Sequence, residues 1–320
     1  PRSTSSAASD VYKRQLGGAQ MHSEVSGLSD YLAEDEMDAL RICREVVSHL
    51  NWTKKGLEPT YKATEPEYDK DEILGILSED LKSAVDIKEI IARFVDGSKF
   101  EEFKPLYGSS LVCGWSTVHG YQVGILGNNG PIYPESAEKG ASFIQLCNKR
   151  NIPLIFLHNV TGFLVGKDFE RQGIIKKGSQ LINAVSNSMV PHITFIVGAS
   201  YGAGTYAMSG KAFNNRFTFL WPTAKIAVMG PEQMAGVMSI VRKAKAKRDG
   251  KKFDVKADKQ LQEMVIDFLE KLSHGLVASS MLTDDGIIDP RDTRDIIGFC
   301  LSVVNNELVE GAKEYGVFRL

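Results

Sequence analysis

Two glycine-rich turns are the segments of this sequence whose composition points to chemistry. The first, Asn159 to Gly166, follows the apolar run Leu154 to His158. The second, Gly198 to Gly204, follows the apolar run His192 to Val197. Where such a turn opens a helix, its unpaired N–H groups and the helix dipole stabilise negative charge at one place. Both turns are therefore candidates for an oxyanion hole, which needs backbone amides and no special side chain.

Two familiar nucleotide-binding patterns do not fit these turns. Gly166-Lys167 superficially suggests a phosphate loop, but the spacing from Gly162 is short and Asp168 stands where Ser or Thr is needed. The second turn has glycines at its first, fifth and seventh positions, which does not match the dinucleotide fingerprint. Neither a phosphate loop nor a nicotinamide site is predicted.

Ser200 offers a third interpretation, that of a hydrolase nucleophile. Residues 198–202 satisfy G-x-S-x-G between a predicted strand and a predicted helix, as a nucleophile elbow does. A hydrolase then needs an acid and a His downstream, and His274 is the only His after Ser200, in what reads as an ordinary helix ending. A serine hydrolase therefore stays an alternative. In a further alternative, the glycines only permit tight packing of strand on helix.

The elements that must hold these turns alternate along the chain. Periodicity and turn signals predict helices at 136–149, 174–188 and from 204 to Met208, strands at 154–158 and 192–197, and an antiparallel strand pair at 111–119 and 122–126 around Gly120. Continuous apolar strands that alternate with helices indicate strands buried on both faces. An α/β core is therefore predicted, rather than a helical bundle or a β-sandwich.

The organisation before this core suggests a boundary. An amphipathic helix is predicted from Glu34, and a second helix starts at Asp86 and stops by Gly97. Residues 51–71 between them break every period and are predicted to be a linker or an exposed excursion. Residues 1–15 are Ser-rich and aperiodic, and we interpret them as a non-native tail, with a disordered tail as the alternative.

Composition excludes several classes of protein. The 320 residues carry a formal charge of -2, so sequence-independent binding to nucleic acid is not expected. The apolar runs are far shorter than the roughly 20 residues that cross a bilayer, so no membrane span is predicted. The four cysteines are far apart, which predicts free thiols and no metal site. The charged run Arg242 to Lys256 is predicted to be a solvated excursion, as the solvated face of a helix, with attraction of a ligand's phosphates or of a partner subunit as the alternative.

Several runs of residues, taken in order, resemble the carboxyltransferases of acyl-CoA carboxylases. These runs are residues 16–22, 127–130, 159–163, 198–204 and 284–294. The resemblance extends from Leu16 to Leu320 and is far more specific than any one glycine turn. Within the family, the sequence most resembles the β subunits of methylcrotonyl-CoA carboxylases.

The resemblance implies a fold and a reaction. The fold is crotonase-like (ClpP/crotonase), a spiral of ββα units, with two such domains in a complete subunit. Residues 16–52 would be the end of a truncated amino-terminal carboxyltransferase domain, 53–85 the linker, and 86–320 the carboxyl-terminal domain. The reaction is transfer of CO2 from carboxybiotin to an acyl-CoA, first 3-methylcrotonyl-CoA, with propionyl-, geranyl- or other acyl-CoA as alternatives. A non-catalytic scaffold with the same shape also stays open.

The resemblance also assigns roles to individual residues. The backbone amides of Ala203 and Gly204 would form the oxyanion hole for biotin. Residues expected to line the biotin or acyl pocket are Gly162, Phe163, Gly166, Gly202, Thr205 and Tyr206. Thr205 and Tyr206 would limit acyl size. For Phe163 and Tyr206, plain core packing is the alternative.

The partners follow from the same resemblance. The sequence has no Met-Lys-Met type biotinylation signal, so biotin would arrive on a biotin carboxylase or biotin carrier subunit. Pairing of the first domain of one copy with the second domain of another implies a homo-oligomer. The expected compartment is a bacterial cytoplasm, with a mitochondrial matrix as the alternative.

Overall fold

The computed structural model describes residues 17–76, 85–213 and 215–318. The predicted tail, residues 1–15, lies outside the described residues. The chain divides into two compact units, Pro1–Lys54 and Lys55–Leu320. The domain bounds drawn from the sequence stay a prediction.

The first unit contains one longer helix. A short helix α1 (Ala19–Met21) runs into a π-helical turn, and α2 spans Glu36–Ser48. The Asp35 side chain accepts the N–H of Asp38, which satisfies one of the unpaired donors at the start of α2. The predicted amphipathic helix is therefore confirmed.

A mixed seven-stranded sheet organises the second unit. Its strands are β1 (Glu101–Glu102), β2 (Leu111–Val118), β3 (Tyr121–Asn128), β4 (Leu154–Val160), β5 (His192–Tyr201), β6 (Phe217–Leu220) and β7 (Lys225–Ala227). The first three strands are antiparallel neighbours, and β3, β4, β5 and β6 follow in parallel, with β7 pairing beside the end of β5. The hairpin predicted around Gly120 is confirmed as β2 and β3.

Helices cover this sheet and connect its strands. They are α3 (Ile73–Ile76), α4 (Ile87–Ala92), α5 (Pro134–Lys149), α6 (Lys167–Arg171), α7 (Ile174–Ser186), α8 (Ala203–Ala207), α9 (Pro231–Arg248), α10 (Val255–Ser273), α11 (Gly275–Ser280) and α12 (Thr293–Val304). Helix α4 starts where predicted, because the Asp86 side chain accepts the N–H of Lys88. Helix α5 has Pro134 in its first turn, where the missing N–H is harmless.

Alternate side chains of β4 point into two separate apolar layers. Ile155 and Leu157 belong to the cluster that also contains residues of α4 and α12. Leu154 and Phe156 belong to the cluster that contains residues of α5 and α7. Each fully buried side chain of this kind contributes about 1.5–3 kcal/mol of hydrophobic stabilisation. The central strands are thus covered on both faces, which confirms the predicted α/β core.

One expectation from the sequence is wrong in part. Strand β5 does not stop at Val197 but continues to Tyr201, so the first residues of the predicted turn are strand. They are held there by neighbouring β4 and β7. The charged run agrees with its prediction as a solvated helix face, because α9 continues to Arg248 and α10 begins at Val255. Its basic side chains are mostly exposed on this helical hairpin, as a solvated charge run requires.

Candidate active site

The two glycine turns meet at the carboxyl ends of β4 and β5. Val160 pairs with Ser200 at the end of the two parallel strands. Beyond this pair, a Cβ added to Gly204 would lie 3.0 Å from Val160 Cγ2 and 3.1 Å from the Cα of Gly162. Such distances are shorter than most Cβ contacts in proteins, so glycine fits here without a shift of the neighbouring turn. The two segments that the sequence singled out separately therefore form one site.

Gly202 reverses the chain between β5 and α8. Its φ of 55° lies in the region that favours glycine, and an added Cβ would lie 2.9 Å from the carbonyl oxygen of Val228. The turn places Ala203 and Gly204 at the first two positions of α8, whose N–H groups have no partner within the helix. Across the described ranges, no atom accepts a hydrogen bond from either N–H group. Two adjacent backbone donors thus lack a partner; Ala203 is exposed, whereas Gly204 is buried.

Phe163 is held in the first turn by backbone pairing. The N–H of Ile132 donates to the carbonyl of Gly162 at 3.0 Å, and the N–H of Leu164 donates to the carbonyl of Ile132 at 3.1 Å. The Phe163 ring lies over Gly178 of α7, where a Cβ would come within 2.9 Å of the ring. The ring packs against the core on one side. The other side of the ring lines an open groove, so Phe163 both packs in the core and lines the candidate site.

This groove is an apolar depression of about 370 Å³ beside the free amides. Its lining residues are Phe163, Leu164, Val165, Glu170, Ile174, Ile175, Gly178, Ser179, Ile182 and Ala203. One wall is therefore α7 and another is the first turn, while Ala203 brings the start of α8 to the edge. Such a surface suits a largely apolar ligand with one polar edge.

The other predicted site residues lie around this groove rather than in its wall. Gly166 caps the start of α6. Thr205 points its hydroxyl at Ser200. Tyr206 is 48% exposed and contacts Phe213 edge to face at 5.8 Å. The structure thus joins Gly162, Phe163, Ala203 and Gly204 directly, and the remaining residues flank them.

A buried hydrogen-bond chain runs beneath the free amides. His158 Nε2 lies 2.6 Å from the carbonyl oxygen of Met208, and Nδ1 lies 2.9 Å from Ser200 Oγ. Burial lowers the pKa of His158 to about 4, against the opposing effect of the Met208 bond. The ring is therefore neutral at pH 7 and carries its proton on Nε2, because a carbonyl can only accept. Ser200 then donates to Nδ1, and Thr205 Oγ1 donates to Ser200 Oγ at 2.9 Å.

This arrangement does not support a hydrolase. Ser200 lies inside β5 rather than on an elbow, and it is 0% exposed, so a substrate carbonyl has no access to its oxygen. His274 instead accepts the N–H of Leu276 at the start of α11. The histidine that does contact Ser200 is His158, which sequence reasoning missed because it searched only downstream. Its position at the end of an apolar run was the available signal.

The wall formed by α7 was also missed. Ile174, Gly178 and Ile182 recur every four residues and so share one face of the helix. The sequence predicted this helix, and its apolar stripe was the signal for the groove.

The four cysteines are unpaired. Within residues 17–76, 85–213 and 215–318, no cluster of His, Cys, Asp and Glu could hold a metal, and no helix is long and apolar enough to span a bilayer.

Comparison with known proteins places the chain among carboxyltransferases. The carboxyl transferase domain family matches residues 4–318. A probable biotin-dependent acyl-coenzyme A carboxylase beta2 subunit of Mycobacterium tuberculosis is 54% identical over 306 residues, which cover 95% of this chain and 58% of that subunit. The mitochondrial methylcrotonoyl-CoA carboxylase beta chain of Arabidopsis thaliana is 45% identical, over 97% of this chain and 54% of its own length. The chain thus spans little more than half of these curated relatives.

A solved structure agrees with these relatives. The beta subunit of P. aeruginosa geranyl-CoA carboxylase superposes with a TM-score of 0.81 at 42% identity, over 96% of this chain and 58% of that subunit. The mixed sheet with helices on both faces is the crotonase-like fold that the sequence resemblance implied. The chain belongs to the carboxyl transferase domain family, and the relatives named above are beta subunits or beta chains of acyl-CoA carboxylases.

Proposed function

We propose that this chain is the carboxyl-terminal part of a carboxyltransferase subunit that moves CO2 from carboxybiotin to an acyl-CoA. The observation that carries the proposal is the pair of adjacent unpartnered amides of Ala203 and Gly204, of which Ala203 lies at the edge of the apolar groove. Family membership makes an oxyanion hole the natural role for such donors. The substrate we propose first is 3-methylcrotonyl-CoA, since a methylcrotonoyl-CoA carboxylase chain is 45% identical. Geranyl-CoA and propionyl-CoA are the alternatives.

The groove fits the biotin ring system. Biotin has a bicycle that is apolar over most of its surface and a urea group along one edge. The wall from α7 and Phe163 offers apolar surface, and the start of α8 offers two donors at one edge. We therefore assign the bicycle to Phe163 and the Ile174–Ile182 face of α7, and the urea oxygen to the amides of Ala203 and Gly204.

The protein contributes preorganised donors rather than a general base. When bound, carboxybiotin would supply the carboxyl group, and its urea would accept the proton that the acyl-CoA carbon loses, with negative charge building up on the urea oxygen in between. The amides of Ala203 and Gly204 are fixed in place and need no reorganisation to stabilise this charge. With the ligand seated, the largely apolar wall would limit the water that competes for the donors and would so strengthen these hydrogen bonds.

The acyl group would lie on the open side of the same turn. Thr205 and Tyr206 follow the two amides, and the Tyr206 ring is half exposed. We propose that these side chains limit the length of the acyl chain. We also propose that a biotin-carrying subunit and a second copy of the protein complete the enzyme.

Replacing Ala203 with Pro tests the oxyanion hole directly. Proline removes one N–H group, and its ring suits the first position of a helix and has room because Ala203 is exposed. Ala203→Ser is the matched control, since it keeps the N–H. In the complete subunit, assayed with its biotin-carrying partner, ATP, bicarbonate and a panel of acyl-CoAs, we expect Ala203→Pro to lower kcat by roughly 10²–10³-fold. Equal activity of the two variants would rule out this donor.

A further inference from the structure

The helix that carries the two free amides cannot hold its own position. Helix α8 has 5 residues. Isolated helices shorter than about 12–15 residues are marginal in water. Contacts from outside the helix must therefore set the direction in which the N–H groups of Ala203 and Gly204 point.

His158 and Ser200 make such contacts at both ends of α8, in addition to the backbone bond from the Gly202 N–H to the carbonyl of Ala227 before its start. At the start, Ser200 Oγ accepts the Thr205 hydroxyl, one residue after the free amides. At the end, the carbonyl of Met208 accepts His158 Nε2–H. Ser200 and His158 are joined to each other at 2.9 Å, so one buried unit spans the whole helix.

The direction of every hydrogen bond in this unit is determined. Ser200 has one hydroxyl proton and gives it to His158 Nδ1, so Thr205 must donate to Ser200. Both His158 and Ser200 are buried. A buried polar group that loses its hydrogen-bond partner destabilises the folded protein, so the unit resists any shift of α8 that would break it.

We infer that His158 and Ser200 are positioning residues for the transferase, because they hold the amides of Ala203 and Gly204 in the orientation that charge stabilisation requires. This inference rests on the proposed function. Neither residue lines the groove, and Ser200 is sealed from it. Both therefore act through α8 and not on the substrate. A misplacement of about 1 Å in such a site lowers rates by up to roughly 10²-fold.

Ser200→Ala removes the centre of the unit, and Ser136→Ala is its matched control. Ser136 lies on α5 and is also buried, and its hydroxyl oxygen is 2.8 Å from that of Ser110. The first readout is hydrogen exchange of the backbone amides in residues 201–208, measured by mass spectrometry. We expect Ser200→Ala to speed this exchange, and Ser136→Ala to leave it as in the unmodified protein.

The second readout is the kinetics of carboxyl transfer by the complete enzyme, well below the melting temperature. We expect Ser200→Ala to lower kcat about tenfold with KM for the acyl-CoA unchanged, and Ser136→Ala to leave both unchanged. If the unmodified enzyme transfers no carboxyl group, the proposed function fails, and the exchange measurement still decides the positioning role. If the unmodified enzyme is active and the two variants match in exchange and kcat, the positioning role is overturned.

Discussion

Strand β5 has a buried histidine–serine pair at each end, yet only its carboxyl end is a candidate active site. At the amino end, His192 Nδ1 lies 2.7 Å from Ser209 Oγ. At the carboxyl end, Ser200 Oγ lies 2.9 Å from His158 Nδ1. Burial lowers the pKa of each histidine to about 4. A buried pair of this kind therefore does not by itself mark chemistry.

What differs between the two ends is the backbone. At the amino end, the carbonyl of Ser209 accepts hydrogen bonds from Thr194 at 2.8 Å and from Asn215 at 3.0 Å. At the carboxyl end, the amides of Ala203 and Gly204 have no acceptor within the part of the chain that the structure describes. Cavity volume would favour the amino end, since the space beside His192 is about 680 Å³ and the groove beside Ala203 is about 370 Å³. Free donors beside an apolar wall identify the site better than volume does.

The largest expected effect is a loss of stability at low pH, to which His158 and His192 contribute equally. An unfolded histidine titrates near pH 6.5, whereas these two have a folded pKa of about 4. The unfolded chain thus binds protons that the native chain does not. The free energy of unfolding has its full value above about pH 6.5. It falls as the pH drops toward 4, by up to ~3 kcal/mol for each histidine. Urea unfolding of the unmodified chain and of His192→Gln, at about pH 7 and about pH 5, measures this loss. An equal loss in both proteins would contradict it.

The close contact between the two turns gives the next largest effect. In Gly204→Ala the new Cβ meets Val160 and the Gly162 backbone, so the turns must separate although the N–H remains. We expect kcat to fall about 30-fold, or ~2 kcal/mol in activation free energy. Gly236→Ala is the control, because nothing lies within 4 Å of its added Cβ. That variant keeps its kcat and gains about 0.5–1 kcal/mol of stability from its better helix propensity. Matching kcat values for both variants would show that the contact does not matter.

Exchanging each histidine for glutamine sharpens the comparison between the two ends. Both His158→Gln and His192→Gln disturb buried hydrogen bonds, so we expect each to lower the free energy of unfolding by about 1–2 kcal/mol. Only His158→Gln should also lower kcat, about tenfold, because only His158 connects to the hydroxyl beside the free amides. Melting temperature and kcat of both variants decide this. A loss of kcat in His192→Gln would remove the distinction between the ends.

Local patterns were enough to predict most of this framework. Periodicity predicted a helix from about 136 to 149, and α5 spans Pro134–Lys149, because helical burial repeats over neighbouring residues. The extension of β5 through Ser200 was not predictable, because small residues have little strand preference and are held there by flanking strands. The contact of His158 with Ser200 joins residues 42 positions apart. It depends on the pairing of β4 with β5, and no local signal carries that register.

The smallest expected effect compares the two cavities. Ile175 lines the groove and is 64% exposed, while Met189 lines the amino-end cavity and is 70% exposed. Truncating either to alanine disturbs little of the core. If the groove receives biotin, Ile175→Ala loses apolar contact of about 1 kcal/mol, which raises KM for the biotin-carrying partner about fivefold. Met189→Ala should leave that KM unchanged. Because the larger cavity is the obvious choice by volume, the reverse result would move the biotin site to the amino end of β5, whereas the expected result ties biotin to the end with the free amides.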